Sequence, residues 1–274
     1  MKREEFDRKK GEAMKRTLLS LILLVLVSSS AWAANNTAAT ASAVRPDGSA
    51  VTEDFTTAGG ASAWYSAPLV AGHRYVAEVE APFNGAGSLA GGTSPALALG
   101  VFQSDGTTAI ANTSNAGCAP ATGASNARVS FLAPGGVAKV SVTNGTAGTP
   151  NYTFRFRLYE TGLSCPRWSV NSYLSFVDLQ NTTDCAVNLT LILYKSDGSV
   201  ASTTAVPLNA NAATQIGITG AMANGVLFGS AAVFHDGPKG AVTGGIYQVN
   251  AASAGANFLW AFSEIRSNGS TSGQ

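Results

Sequence analysis

Two histidines, three cysteines and a thin scatter of carboxylates are what this chain offers for chemistry beyond residue 34. A Ser-His-Asp hydrolase needs nucleophile, base and orienting acid within hydrogen-bond reach of one another. His235-Asp236 supplies two of these types side by side. Neighbours on a strand point to opposite faces, however, and no G-x-S-x-G elbow occurs in the chain. His235 instead opens the turn that leads into Gly237-Pro238, where a polar residue is at home. Glu78 and Glu80 stand two residues apart, a spacing compatible with the paired carboxylates of a glycosidase. They lie opposite Tyr75, Ala77 and Val79, which places them on a solvated strand edge. There is no H-E-x-x-H, no C-x-x-C and no D-x-D-x-D-G run, so no metal ligand or cofactor site is assigned. With no catalytic residue assigned either, the expectation is a protein that is not an enzyme.

Cys118, Cys165 and Cys185 amount to one bridge and one leftover in an oxidising compartment. Cys165 and Cys185 flank a single expected strand, so they are the expected pair, with Cys118 left over in a Gly/Ala/Ser-rich loop. Three unpaired thiols are the alternative. Aromatics carry the remaining potential for binding: Trp64, Trp168, Tyr247, Phe258 and Trp260 suit either a sandwich core or a flat platform for sugar rings. Three residues are candidates for ligand contact. Phe83 is the only aromatic in the long loops Phe83–Ser94 and Thr113–Ser125, Trp168 sits beside an expected domain boundary, and Trp260 is a large aromatic of the second half.

The elements that must position these residues lie outside the cytoplasm. Met14-Lys15-Arg16, the apolar run Leu18 to Val27 and the small residues ending at Ala31-Trp32-Ala33 follow the order of a secretory signal peptide. The apolar run is too short to span a bilayer. Residues 1–33 are therefore expected to be removed, with either Met1 or Met14 as the true start. The whole chain carries 17 Lys/Arg against 16 Asp/Glu. Seven basic and four acidic residues fall within 1–33, which leaves ten against twelve and a formal charge of −2. That balance excludes a phosphate-neutralising surface, so no nucleic acid is expected as a partner. No second long apolar run follows, so no membrane span is expected in the mature chain, and localisation is secreted or periplasmic.

Small, β-branched and turn-forming residues dominate what remains, and Lys and Glu are scarce, a balance that favours strands over helices. Period-two alternation marks Val51–Thr56, Ala63–Ser66, Arg74–Glu80, Leu97–Val101, Arg128–Leu132, Val137–Val142 and Tyr152–Arg157. A second set runs Tyr173–Leu179, Val187–Tyr194, Val200–Val206, Thr214–Ile218, Leu227–His235, Ala241–Val249 and Phe258–Glu264. The fold class is thus all-β: two antiparallel β-sandwich domains, jelly-roll-like then immunoglobulin-like, after a cleaved signal peptide. Boundaries are expected at 34–49 for a flexible lead-in, 50–159 for the first sandwich and 160–168 for a linker. The second sandwich is expected over 169–266, and a disordered tail over 267–274.

Trp64-Tyr65, Leu69 to Tyr75, Leu97 to Gly106, Val129 to Pro134, Val140 to Val142 and Tyr152 to Phe154 occur in an order that resembles the bacterial pre-peptidase C-terminal domain. That resemblance implies a jelly-roll-like sandwich appended to secreted enzymes, some members binding collagen or polysaccharide. Calcium-binding members carry acidic residues before the strand aromatic, where this chain has Ala61-Ser62-Ala63. The second half, with Phe176 to Thr183 and Val233 to Pro238, is similar to a sandwich module of bacterial extracellular proteins that implies no defined activity. The functional expectation is an exported, non-enzymatic protein that binds or decorates an extracellular surface or polymer. Polysaccharide or a matrix or surface protein is the expected partner. An accessory substrate-binding component of a secreted hydrolase system is the alternative.

Overall fold

Alternation of apolar and polar residues governs the chain from Val51 onward, and the backbone follows it into strands. The computed structural model describes residues 35–55, 61–80, 97–110, 114–115, 126–144, 152–171, 173–250 and 257–265. Residues 1–34, which hold the expected signal peptide, lie outside that range, as do 267–274. The first nine strands are β1 Ser42–Ala43, β2 Val51–Phe55, β3 Ser62–Leu69, β4 Arg74–Glu80, β5 Leu97–Phe102, β6 Ser114–Asn115, β7 Asn126–Leu132, β8 Gly136–Asn144 and β9 Tyr152–Glu160. They form one sheet in the order β1-β3-β8-β5 and a second in the order β2-β9-β4-β7-β6. The inward residues of both sheets make one core, in which Tyr65 stacks on Phe156 at 4.2 Å and Phe55 on Phe154 at 4.6 Å.

A second sandwich follows with β10 Gly162–Ser169, β11 Tyr173–Asn181, β12 Val187–Lys195, β13 Val200–Leu208, β14 Ala213–Ile218, β15 Phe228–His235, β16 Val242–Asn250, β17 Asn257–Ala261 and β18 Ser263–Glu264. Its sheets run β13-β12-β15-β10-β18 and β14-β11-β16-β17. Trp168, Leu189, Leu191, Leu193, Val177 and Ile246 fill the space between them. Each such side chain contributes about 1.5–3 kcal/mol by leaving water. One short helix, α1 Gly220–Ala223, is capped by the Thr219 hydroxyl accepting from Met222 N–H. The expected all-β class with two antiparallel sandwiches is what the chain forms. Among the described strands only β1 pairs in parallel, with β3.

Three expectations are corrected here. Residues 160–168 are not a linker, because Gly162–Ser169 is β10, a full member of the second sandwich paired with β15. The connection shrinks to Thr161, buried at 3% exposure. Its N–H donates to Arg74 O at 3.1 Å, its hydroxyl donates to His235 O, and its carbonyl accepts from His235 N–H at 3.2 Å. A buried backbone segment must have such partners, and here they come from both sandwiches, which ties one to the other. A cross-brace adds to this: the His73 ring packs 5.1 Å from Phe234, held in place by Glu160 of its own sandwich, whose Oε1 lies 2.8 Å from His73 Nδ1.

The lead-in is also built in. Asn35 Nδ2 donates to both Glu53 oxygens at 3.0 Å, Ala38–Thr40 forms a 3-10 turn, and Lys139 Nζ donates to Ala38 O. Ala38 Cβ comes within 2.2 Å of where a side chain on Gly106 would begin, and Gly106 has φ +72, so glycine is required there twice over. Finally, Glu78 and Glu80 do not sit on an edge, since β4 lies between β7 and β9. Register places Glu78 across from Arg128 and Arg157, and Glu80 across from Arg155. Glu78 Oε2 accepts from Arg128 Nη2 at 3.0 Å and from Tyr159 OH at 2.9 Å, while Glu80 Oε1 meets Arg155 and Arg157 at 3.2 and 3.3 Å. The pair is an ion-pair ladder across three strands, with both acids matched by arginines.

Candidate functional site

Of the residues singled out from sequence, the structure moves most into structural roles. Trp168 is 0% exposed, and its indole N–H donates to Tyr194 O at 3.2 Å and Ser230 O at 2.8 Å. A side chain so enclosed has no face left for a ligand. Trp260 packs against the second core from β17, opposite Ile246, with its indole nitrogen buried and without a hydrogen-bond partner. The Trp168 expectation is thereby corrected, since its ring is core filler, while Trp260 is half-buried against the same core. Phe83 and most of the two long loops lie outside the described residues. Ser114-Asn115, inside the second of those loops, is β6 and extends the first sandwich by one strand.

The expected Cys165–Cys185 bridge does not form. Cys165 is a free, buried thiol on the inner face of β10, and burial raises its pKa. Cys185 is disulfide-bonded, and Cys118 lies outside the described residues. Flanking β11 does not bring the two together, because Cys165 sits on β10 while Cys185 precedes β12, and β15 lies between those strands in their sheet.

His235 and Asp236 part company as strand alternation requires. The Asp236 carboxylate accepts from Asn188 N–H at 2.8 Å and from Asn188 Nδ2 at 2.9 Å. The His235 ring is 2% exposed with Nδ1 unpartnered, and burial pushes its pKa down to about 4. Among the described residues no hydroxyl is hydrogen-bonded to either imidazole, and no three His, Cys, Asp or Glu side chains converge.

What sequence reasoning passed over is the outer face of the sheet β14-β11-β16-β17. On β11, Ser175, Val177 and Leu179 are buried, so Leu174, Phe176, Asp178 and Gln180 point the other way. Cross-strand pairing then aligns side chains in rows. Gly217, Phe176, Tyr247 and Leu259 form one row, with neighbours about 4.5–5.5 Å apart. The Phe176 ring edge lies 3.7 Å from the position a Gly217 side chain would take, and Leu259 reaches 3.3 Å from that of Gly245. Both side chains therefore lean over bare glycine backbone, which flattens the surface. Leu174 and Val249 form the row on one side, and Leu174 and Leu259 are 53% and 71% exposed.

On the other side the face turns polar. Asp178 pairs with Gln215, whose amide nitrogen donates to Asp178 Oδ1 at 2.8 Å, and Gln180 lies opposite Thr243. A shallow groove of about 430 Å³ runs here, lined by Asp178, Gln180, Thr214, Gln215, Thr243 and others. Four rows separated by two residues each span about 20 Å along β11. The signal for this face was present in the alternation of Tyr173 to Gln180. What the chain alone could not show is that Tyr247 and Leu259, far away in sequence, complete the row.

No protein-family model matches the chain, and no curated protein does. Among solved structures it is similar to a β-glucuronidase of Bacteroides uniformis, at 9% identity and TM-score 0.22, over 76% of this chain and 26% of that one. It is also similar to a glycosyl hydrolase family 2 member from Bacteroides cellulosilyticus DSM 14838, at 9% identity and TM-score 0.20, over 76% and 29% of the two chains. The chain spans under a third of the length of these proteins, and superposition this loose carries no argument about fold or activity. No helix of the described residues is long and apolar enough to cross a membrane.

Proposed function

We propose that this chain is an exported, non-catalytic module that holds a polysaccharide along the outer face of the sheet β14-β11-β16-β17. One observation carries the reading: a flat row of Phe176, Tyr247 and Leu259 abuts a groove edged by Asp178, Gln180, Gln215 and Thr243. Sugar rings present apolar C–H faces and a rim of hydroxyls. An aromatic and aliphatic platform accepts the first, and amide, carboxylate and hydroxyl groups accept the second. The face is open and about 20 Å long, which suits a linear chain of several sugar units better than an enclosed small molecule. The order of regions in residues 14–33, which reads as a secretory signal, supports this reading.

Co-sedimentation with insoluble polysaccharides (cellulose, chitin, xylan and peptidoglycan) tests it. Wild type is expected to pellet with at least one polymer, and Tyr247→Ala and Phe176→Ala are expected to lose that binding about tenfold or more. Each stacked ring contributes on the order of 1–2 kcal/mol, and several act on one chain. Failure to bind any of the four, or binding indifferent to both variants, refutes the proposal.

A further inference from the structure

A second hollow lies on the opposite sheet, where the two sandwiches meet. It encloses about 390 Å³ and is lined by His73 of the first sandwich and by Ser164, Tyr194, Ser230, Phe234 and Ser263 of the second, among others. Register explains its shape. Ser263, Ser164 and Ala232 fall in one row across β18, β10 and β15, and Ser230 lies beside Tyr194 in the next. Short side chains thus make the floor. Tyr194 stands on one side, and Phe234 with the His73 ring stands on the other.

The polar groups around this hollow are free. The hydroxyls of Ser164, Ser230, Ser263 and Tyr194 have no hydrogen bond to another described residue. His73 commits Nδ1 to Glu160, whose side chain is 2% exposed, and this fixes the ring while leaving Nε2 without a protein partner. Four hydroxyls and one imidazole nitrogen therefore border a space of a size typical for small ligands, about 300–1,000 Å³. None of the lining side chains is a carboxylate, Lys or Arg. A charged ligand would find no counter-charge there, whereas hydroxyls on a ring could both donate to and accept from these groups. Tyr194 is only partly buried, so part of its ring remains available for stacking.

We infer that this hollow binds a single uncharged, hydroxyl-bearing ring, a neutral sugar residue, at the junction of the two sandwiches. The inference stands on this hollow alone and is independent of the polymer face. Binding by one ring is weak, with a dissociation constant on the order of 1 mM.

The test is a titration of the mature chain with the methyl glycosides of glucose, galactose, mannose and N-acetylglucosamine, followed by backbone amide NMR. At least one is expected to shift the amides of Ser164, Ser230 and Tyr194. Two variants, Tyr194→Ala and Ser164→Leu, are each expected to weaken that response about tenfold. Ser164 is exposed, so the leucine fills the hollow without entering the core. An unchanged spectrum elsewhere confirms that each variant folds, and two sites keep the test intact if one does not. No shift with any of the four sugars overturns the inference, as does a response that survives both variants. Shifts confined to Phe176, Tyr247 and Leu259 overturn it too, while sustaining the polymer reading.

Discussion

Lowering the pH should unfold this protein partly through a single buried imidazole. His235 is 2% exposed, and burial brings its pKa from 6.5 down to about 4, opposed by the Asp236 carboxylate and assisted by Arg74. Asp236 and a backbone hydrogen bond with Gly237 favour the protonated ring, but they do not offset the larger cost of burying its charge. The sign follows from proton counts. Between about pH 6.5 and 4 the unfolded chain carries a proton here that the folded chain refuses, so stability rises with pH across that window. Above it the residue has no pH-dependent effect, and below it the loss is complete. A depression of about 2.5 units at 1.36 kcal/mol each amounts to about 3 kcal/mol. That is a large share of the 5–15 kcal/mol typical of a domain. Urea denaturation of wild type and His235→Gln, from about pH 7 to pH 4, measures it. Carboxylates distant from His235 act on both proteins alike, so the difference between the two curves reports His235 together with its coupled neighbour Asp236. The variant begins with a constant offset, and the gap should shift by about 3 kcal/mol in its favour as the pH falls. A gap that stays flat, or an imidazole that titrates near 6.5 by NMR in the folded protein, refutes the reasoning.

Other outcomes follow from the packing. Gly229→Ala should destabilise by about 2–3 kcal/mol or more in denaturant, because the added Cβ would fall 1.8 Å from Tyr194 O and 3.0 Å from the Trp168 ring. Trp168→Ala should cost about 3–5 kcal/mol and loosen the second sandwich, whereas a ligand-contact role would have left stability unchanged. Non-reducing peptide mapping should recover Cys185 in a disulfide and Cys165 as a thiol that alkylates only after denaturation. A linked Cys165–Cys185 peptide would contradict the structure. Within the arginine ladder, Glu78→Gln should lower stability measurably and reduce its dependence on salt, since it removes the carboxylate charge that Arg128 Nη2 meets at 3.0 Å.

Strand existence and type were legible along most of the chain because alternation is local. Tyr75, Ala77 and Val79 set β4, and Tyr173 to Leu179 set β11, to within a residue or two of their observed ends. Turn chemistry was equally local: Asp105 and Asp197 each bond backbone N–H groups two residues on, at 2.8 and 2.9 Å. Where local signal was weak, the reading failed. Gly162–Ser169 contains Pro166 and little alternation and looked like a linker, yet pairing with β15 makes it a strand. Ser42–Ala43 carries no pattern of its own and is ordered by β3.

The sites were less legible than the elements, for a related reason. Alternation says which residues share a face, but not whether that face meets another sheet, a neighbouring ion or water. Trp168 and Tyr247 are both large aromatics near strands, and only the stacking of the sheets sends the first inward and the second outward. Glu78 and Glu80 could be put on one face from their spacing, while the arginines that match them come from β7 and β9, some fifty to eighty residues away. Local propensity thus determined which segments are strands and which residues share a side. Strand order, sheet pairing and the single-residue joint at Thr161 depend on contacts distant in sequence, and these alone decided what is core, what is brace and what is left open to a ligand.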